Sequence, residues 1–273
     1  LQKRKFQTIP EILPNKDGNK YIEIENNYAY ITKWIHSRVS NFNNPIELQA
    51  IAGKLAELHK CSRGFNLNRK MRPRIGWYSW INVFNTRCSE ILDFRKRIYQ
   101  KAYKSEFDRI YLEHIDNEIE RGQRAVKGLE ENGYFSLMDV EVKKRGFCHH
   151  DFAHHNILID KDQQINIIDF DYCILDTHIH DLASLLIRVM KDGKWSDKTC
   201  DLIINSYQET LEVTDEELKI MKYFIMFPQS FWQIGLQYYW EQQPWNEEVF
   251  MNKIIRYLED IEYREVFLDE YFK

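Results

Sequence analysis

The segment from Cys148 to Leu158, Cys-His-His-Asp-Phe-Ala-His-His-Asn-Ile-Leu, is the feature of this 273-residue chain that most constrains its fold. It places Asp151 ahead of Asn156, and a later apolar run leads into Asp169. Phosphoryl transfer requires a carboxylate that orients the attacking hydroxyl and two further oxygen ligands that hold Mg²⁺ against nucleotide phosphates. Asp151, Asn156 and Asp169 supply these groups. The sequence therefore predicts a phosphoryl-transfer centre.

Two short apolar segments connect Asn156 to Asp169. Residues 157–159 and 165–168 are rich in isoleucine, and the polar residues 161–164 separate them. This pattern is typical of two short strands joined by a tight loop. Such a hairpin would hold Asn156 and Asp169 facing one another, so the two motifs are more specific together than either is alone.

Composition excludes several classes of protein. The chain has 38 basic and 42 acidic residues and a net charge of −4, so it lacks the cationic excess that binding to a nucleic-acid backbone requires. No segment approaches the roughly 18 apolar residues of a membrane span. The five cysteines are scattered without a C-x-x-C pair, which favours a reducing compartment. We expect a soluble globular protein with no nucleic-acid and no membrane partner.

The rest of the chain divides into a short β-rich piece and a long helical one. Apolar and polar residues alternate on both sides of Asn26-Asn27, which predicts a β-hairpin over 21–35. Asn44-Pro45 resembles a helix N-cap with proline at the first helical position, and predicts a helix ending near residue 59. Helical periodicity continues over 88–132 and stops at Gly133. Further helices are predicted near 179–191, 197–211, 215–226, 229–242 and 246–262.

The order of the motifs resembles that of protein kinases and their small-molecule relatives, in which His-x-Asp-x-x-x-x-Asn precedes an aspartate after the next hairpin. Asp169-Phe170-Asp171 stands in place of Asp-Phe-Gly, and Asp181-Leu-Ala183 opens a helix, as in the aminoglycoside phosphotransferase and choline kinase superfamily. The chain more closely resembles spore coat proteins of the CotS type. The segments that carry this resemblance are 146–158, 168–173, 181–190, 227–232 and Tyr238-Tyr239.

The resemblance implies an α+β fold, the protein-kinase-like fold of two lobes. Residues 1–35 would form the remainder of a small β-containing N-lobe with its hinge, and residues 36–273 a large, mainly helical C-lobe. Mg²⁺ and ATP, or another nucleoside triphosphate, would be the cofactors, and a small hydroxylated molecule the substrate. After cytoplasmic synthesis, the implied location is the spore coat of a spore-forming bacterium, with other coat proteins as further partners.

The resemblance also implies roles for individual residues. The catalytic residues would be Asp151, as the base, and His149, which braces the catalytic loop. The metal ligands would be Asn156 and Asp169. The remaining assignments are Lys33, Trp34 and Ile35 for the nucleotide, Asp171, His155 and Trp240 for the substrate, and Asp181 as a structural anchor at a helix N-terminus.

One departure from the superfamily leaves two functions open. A Gly-rich phosphate loop, a strand lysine and a helix glutamate should precede a hairpin such as 21–35, but the window Lys3–Pro10 contains lysines and no glycine. We therefore expect the N-lobe to be incomplete in this sequence. The chain is either a small-molecule kinase of the spore coat or a catalytically inactive, kinase-shaped coat component that serves in structure or interaction.

The histidines and aromatic residues near the motifs allow more than one interpretation. A zinc site built from His149, His150, His154 and His155 is the weaker one, because adjacent pairs on a turn point in divergent directions. The latter three fit the substrate side or a structural role equally well. The spacing of Phe224, Phe227, Phe231 and Tyr238 fits a buried helical stripe better than a substrate wall, whereas Trp240 and Trp245 lie near a break and could reach a cleft. An acidic pocket would indicate an aminoglycoside or polyamine as substrate, and an aromatic cage choline.

Overall fold

The computed structural model describes residues 1–4, 6–25, 27–69 and 71–272. In these residues the strands are, in chain order, β1 (Ile12–Leu13), β2 (Ile22–Ile24), β3 (Asn27–Ala29), β4 (Ile31–Thr32), β5 (Ser37–Val39), β6 (Arg74–Ile75), β7 (Ile157–Asp160), β8 (Ile165–Ile167) and β9 (Ile174–Leu175). The helices are α1 (Pro45–Ser62), α2 (Trp80–Gln100), α3 (Glu106–Glu131), α4 (Tyr134–Lys144), α5 (Ile179–Met190), α6 (Asp197–Gln208), α7 (Asp215–Met226), α8 (Gln229–Gly235) and α9 (Glu247–Tyr271). A small sheet-containing N-terminal part is followed by a large helical part, which confirms the α+β class.

The predicted N-terminal hairpin is present but shorter than expected. β2 pairs with β3 in antiparallel register, with Glu23 opposite Tyr28. Asn26, one of the two predicted turn residues, lies outside the described residues. The second half of the expected strand turns away, because β4 pairs instead with β1, where Ile12 lies opposite Thr32. Two small ribbons therefore replace one long hairpin.

The predicted hairpin that carries the motifs belongs to a three-stranded antiparallel sheet of order β5-β7-β8. Ile157 lies opposite Ile167, and Arg38 lies opposite Ile159. Strand β5 was not predicted, because a strand of three residues gives little periodicity. The chain thus joins the sheet of the helical part directly after 33–35, and the division at residue 35 stays a prediction.

Helix α1 forms as its sequence predicts. The Asn44 side chain accepts hydrogen bonds from the backbone nitrogens of Ile46 and Glu47, at 3.1 and 3.5 Å, and Pro45 occupies the first turn. Leu48, Ile51, Leu55 and Leu58 form its buried face. Satisfied end groups and a continuous apolar stripe explain why this helix was correctly located.

The helical part contains two apolar cores. One joins α1, α5, α6 and α7 to the three-stranded sheet, and the other lies among α2, α3, α8 and α9. The region 88–132, predicted as continuous helical periodicity, is two helices, because Ser105 forms a capping box with Asp108 that starts α3. Gly133, with φ of +85°, ends that helix as predicted, but α4 follows immediately and was not predicted.

The last predicted helices are also present, with two changes. The final helix, predicted over 246–262, continues to Tyr271. The segment 229–242 begins as α8 and continues as a π-helical segment over Leu236–Trp240. Gly235 lies at this transition, where its missing side chain admits the hydroxyl of Tyr111 and the ring of Phe94. Among the described helices, none combines the length and the apolar character that crossing a membrane would require.

Candidate active site

The hairpin of β7 and β8 positions the two predicted metal ligands at its open end. The backbone nitrogen of Ile168 donates to the Asn156 carbonyl oxygen at 3.0 Å, so the residues flanking the paired strands stay in register. Asn156 is buried, whereas Asp169 is exposed and has a φ of +62°. Left-handed backbone at a non-glycine residue is uncommon and is found at functional sites.

Asp151 lies beside Asn156, and both oxygens of its carboxylate are engaged. Asn156 Nδ2 donates to Asp151 Oδ2 at 3.0 Å and to the Asp151 carbonyl oxygen, also at 3.0 Å. Arg188 Nη2, from α5, donates to Asp151 Oδ1 at 2.7 Å. The Asp151 side chain is 29% exposed, so it can still meet a molecule from solvent. Arg188 was not predicted, although it lies on the same helix as the predicted anchor Asp181, because the sequence does not show that its side chain reaches Asp151.

His149 is buried and holds the catalytic loop against the hairpin. Its Nε2 lies 2.9 Å from the Ile168 carbonyl oxygen, and the backbone nitrogen of Asp151 donates to its Nδ1 at 3.3 Å. The ring therefore donates through Nε2 and accepts through Nδ1. These contacts fix the geometry between Asp151 and the residue before Asp169, which fits the predicted brace.

Asp181, at the start of α5, lies directly beneath this loop. Its carboxylate accepts from the backbone nitrogens of His149 and His150 at 2.6 and 2.8 Å, and from His59 Nε2 at 3.0 Å. Burial raises the pKa of the Asp181 carboxyl, but the hydrogen bond that it accepts from His59 outweighs burial, and the pKa lies well below its ordinary value. The anchor therefore remains ionised.

The anchor continues into a buried chain of polar side chains that the sequence analysis did not find. His59 Nδ1 lies 2.6 Å from the Tyr207 hydroxyl, which lies 3.0 Å from His178 Nδ1. His178 Nε2 lies 2.9 Å from Glu217 Oε1. The one available signal was His59 itself, a polar residue on the apolar face of α1 four positions after Leu55.

Two groups of this chain have shifted pKa values. Burial lowers the pKa of His59, which favours the neutral ring that donates to Asp181 and accepts from Tyr207. Burial raises the pKa of Glu217, but the hydrogen bond from His178 outweighs it and the net pKa is lowered. The Tyr207 hydroxyl therefore links two histidines, each of which contacts a buried carboxylate.

A cleft of about 1040 Å³ opens between the N-terminal ribbons and the hairpin. The predicted nucleotide segment 33–35 lines it together with Ile168, Asp169 and Phe170. The Lys33 backbone nitrogen donates to Glu11, and the Trp34 side chain is 81% exposed. Most other lining residues are apolar, as expected of a site that takes a planar ring: Ile9, Pro10, Ile12, Val39, Phe65, Leu67, Met71, Phe147, Leu158, Ile174 and Leu175.

Among the described residues, no recorded contact joins any of the three predicted substrate residues to Asp151. Asp171 accepts from the Tyr30 hydroxyl at 3.3 Å, and burial and this carboxylate raise the pKa of Tyr30. His155 is exposed beside His154, with ring centroids 5.3 Å apart. Trp240 is 40% exposed, and its Nε1 donates to Asp93 Oδ2 at 2.9 Å. Their substrate roles stay predictions.

The oxygen atoms at the hairpin end fit a hard cation. Asn156 commits its amide nitrogen to Asp151, which leaves its amide oxygen available, and the Asp169 carboxylate has no recorded hydrogen-bond partner in the described part of the chain. Oxygen-only ligands are those that Mg²⁺ prefers. Elsewhere in that part, metal-binding geometry occurs at His59–Cys148–Asp181 and Glu141–His178–Glu217, neither of which includes His150, His154 or His155.

Comparison with known proteins identifies the family of the chain. The model of the family described as "Spore coat putative kinase YutH" matches residues 1–271. The chain belongs to this family. The predicted relationship to spore coat proteins with a kinase-like fold is thereby confirmed.

The chain is also similar to a curated protein, spore coat protein S of Bacillus subtilis (strain 168). It is 21% identical over 226 residues, which are 82% of this chain and 64% of the relative. The chain thus covers less than two thirds of that protein.

Solved structures confirm the kinase-like fold. An aminoglycoside phosphotransferase from Alicyclobacillus acidocaldarius matches with a TM-score of 0.83 at 20% identity, over 98% of this chain and 78% of the other. Spectinomycin phosphotransferase, solved with ADP and spectinomycin, matches with a TM-score of 0.65 at 14% identity, over 97% and 79%. Choline kinase from Streptococcus pneumoniae matches at 0.51 and 14%, over 96% and 76%. At these identities the likeness establishes the fold alone.

Proposed function

We propose that this spore coat protein is a phosphotransferase that uses a Mg²⁺-bound nucleoside triphosphate to phosphorylate a hydroxyl group of a small molecule. The observation that carries the proposal is the convergence of Asp151, Asn156 and Asp169 at one end of the β7–β8 hairpin, beside a large apolar cleft. Family membership and the relative in Bacillus subtilis support the spore coat as its location. ADP in one structural neighbour and AMP in another structure of the same phosphotransferase support the nucleotide.

Different residues of the chain have different roles in the proposed reaction. The apolar cleft at 33–35 takes the nucleotide base, and Asp169 with the Asn156 amide oxygen would hold Mg²⁺, which neutralises phosphate charge when bound. Asp151 accepts a hydrogen bond from the acceptor hydroxyl and takes up its proton. Transfer forms an O–P bond to the acceptor and breaks the bond to the nucleoside diphosphate. Asp181 keeps the loop that carries Asp151 in place.

The metal role of Asp169 is tested by isothermal calorimetry with Mg–ATP. Asp169→Asn should weaken Mg²⁺-dependent nucleotide binding, because the site loses a charged oxygen ligand. Asp162→Asn is the matched control, since Asp162 is an exposed aspartate in the loop of the same hairpin. Absence of Mg–ATP binding in the unmodified protein, or equal losses in both variants, would contradict the proposal.

The role of Asp151 is tested by turnover. Asp151→Asn should reduce the rate of ADP formation by about 10²–10⁴-fold while largely preserving Mg–ATP affinity, because this carboxylate orients the hydroxyl and does not hold the metal. The measurement is a coupled assay for ADP with a panel of hydroxylated acceptors. A variant as active as the unmodified protein would rule out this assignment.

A second candidate function is a coat component without turnover. It is favoured by the large apolar side chains that the N-terminal ribbons expose, among them Ile22, Ile24, Tyr28 and Ile31, since such surfaces are typical of protein–protein contacts. Transfer of phosphate to any acceptor by the purified full-length protein would count against this candidate. Normal coat assembly with Asp151→Asn, together with no detectable transfer by the unmodified protein, would favour it.

A further inference from the structure

Arg188, which contacts Asp151, is followed in the chain by two lysines, Lys191 and Lys194. Arg188 donates to the Asp151 carboxylate at 2.7 Å, yet the Arg188 side chain is 37% exposed. Lys191 follows three residues later at the end of α5, on the same helical face, and is exposed. Lys194 is also exposed, and its Nζ lies 3.1 Å from Asn43 Oδ1, a neutral partner. This run of cationic residues is local, because the whole chain carries a net charge of −4.

Lys191, three residues after Arg188, lies at the wall of a smaller cavity of about 310 Å³. Lys191 lines it together with Lys253 and Arg256 of α9, and its acidic residues are Asp192 and Asp260. The Asp260 carboxylate is already occupied, because the Gly193 backbone nitrogen and Trp195 Nε1 donate to its Oδ1 at 2.8 and 2.7 Å. The cavity is therefore lined by three cationic side chains. Among the described residues, Asp192 is its one acidic residue without a recorded hydrogen bond to its carboxylate.

We propose that the acceptor is an anion: a hydroxylated molecule with a carboxylate or phosphate group that Arg188 binds while the hydroxyl approaches Asp151. The inference rests on the phosphotransferase function proposed above. A guanidinium presents five N–H donors in a planar fork, and among the described residues Arg188 has one recorded hydrogen bond, to Asp151. The other donors, on an exposed side chain, suit an anionic group of the acceptor.

The position of Arg188 also disfavours cationic acceptors. An acceptor hydroxyl must come within hydrogen-bond reach of Asp151, about 2.6–3.2 Å, for proton transfer. A choline or aminoglycoside in that position would place its positive charge near the Arg188 guanidinium, whose nitrogen is 2.7 Å from the same carboxylate. Repulsion between these charges lowers affinity, whereas an acceptor anion is attracted. Arg188 is thus a specificity-determining residue.

Calorimetry with the full protein saturated with Mg–ADP tests the inference without turnover. The probes are glycerol 3-phosphate, glycerate, glycerol and choline, which separate phosphate, carboxylate, neutral and cationic groups. Glycerol 3-phosphate or glycerate should bind at least about tenfold more tightly than glycerol, and choline should bind most weakly. Arg188→Gln should weaken the binding of the anions by about 10- to 100-fold, and Arg188→Lys should weaken it less.

Arg124→Gln is the matched control, because Arg124 is an exposed arginine that also pairs with one carboxylate, Glu265, at 2.9 Å. It should leave anion binding unchanged. The inference is overturned if choline binds more tightly than both anions, if neither anion binds, or if Arg188→Gln leaves their affinity intact. Loss of turnover in Arg188→Gln at unchanged affinity would also overturn it, since Arg188 would then act on the transferred phosphoryl group. Anion binding without any ADP formation in the coupled assay would instead refute the proposed function alone.

Discussion

Replacing Tyr207 by phenylalanine is the sharpest test of the buried polar chain beneath the catalytic loop. Tyr207 is fully buried, and its hydroxyl lies 2.6 Å from His59 Nδ1 and 3.0 Å from His178 Nδ1. The change removes one oxygen and leaves the ring packing in place. It also separates His59, next to Asp181, from His178, next to Glu217.

The expected loss of stability follows from the groups that remain. Two hydrogen bonds disappear, each with a net value of about 1 kcal/mol, and a buried nitrogen left without a partner costs about 1–3 kcal/mol. His59 and His178 are both buried, at 1% and 5% exposure, so water cannot easily replace the hydroxyl. We expect Tyr207→Phe to lower the free energy of unfolding by about 3–5 kcal/mol.

Tyr111→Phe is the matched control. Tyr111 is equally buried, but its hydroxyl makes a single recorded bond, at 3.1 Å to the Phe231 carbonyl oxygen, so its loss should cost about 1 kcal/mol. The two variants should then differ by about 2–4 kcal/mol, or about 4–16 °C in melting temperature. Urea denaturation and thermal melting followed by circular dichroism measure both. A loss in Tyr207→Phe no larger than that in Tyr111→Phe would refute this account of the buried polar chain.

Two further predictions concern the anchor and the helix packing. The folded-state pKa of Asp181 lies below the unfolded value of about 3.9, so its carboxylate contributes stability above that pH and loses it as the pH falls through the folded-state pKa. Asp181→Asn should therefore show a shallower loss of stability than the unmodified protein between about pH 5 and pH 2 in acid titrations, and an equal slope would contradict this. A Cβ at Gly128 would overlap the Tyr223 ring, so Gly128→Ala should cost about 1–3 kcal/mol in urea denaturation. Gly53→Ala, whose Cβ would lie 3.8 Å from the Ser206 carbonyl oxygen, should instead stabilise α1 by about 0.5–1 kcal/mol, and equal effects of the two changes would refute the packing argument.

Local sequence signals correctly predicted the helices and hairpins whose stabilising contacts lie within a few residues or between adjacent segments. Asn44 and Pro45 predicted α1 because a cap and a pre-set φ act within a few residues. The β7–β8 hairpin was predicted because its strands are adjacent in the chain. Short pairings between distant segments, such as β1 with β4 and β6 with β9, were missed, since two-residue strands have no periodicity to detect.

By itself, the sequence predicted which oxygen-bearing side chains flank the hairpin. Asp151, Asn156 and Asp169 follow from motif order and spacing, because a tight hairpin brings together residues that flank it. Only the tertiary structure decided what surrounds Asp151. Arg188 is 37 residues away, and His59 and Tyr207 are 148 residues apart. Periodicity shows which face of a helix is buried, but the packing of whole helices selects the partner that this face meets.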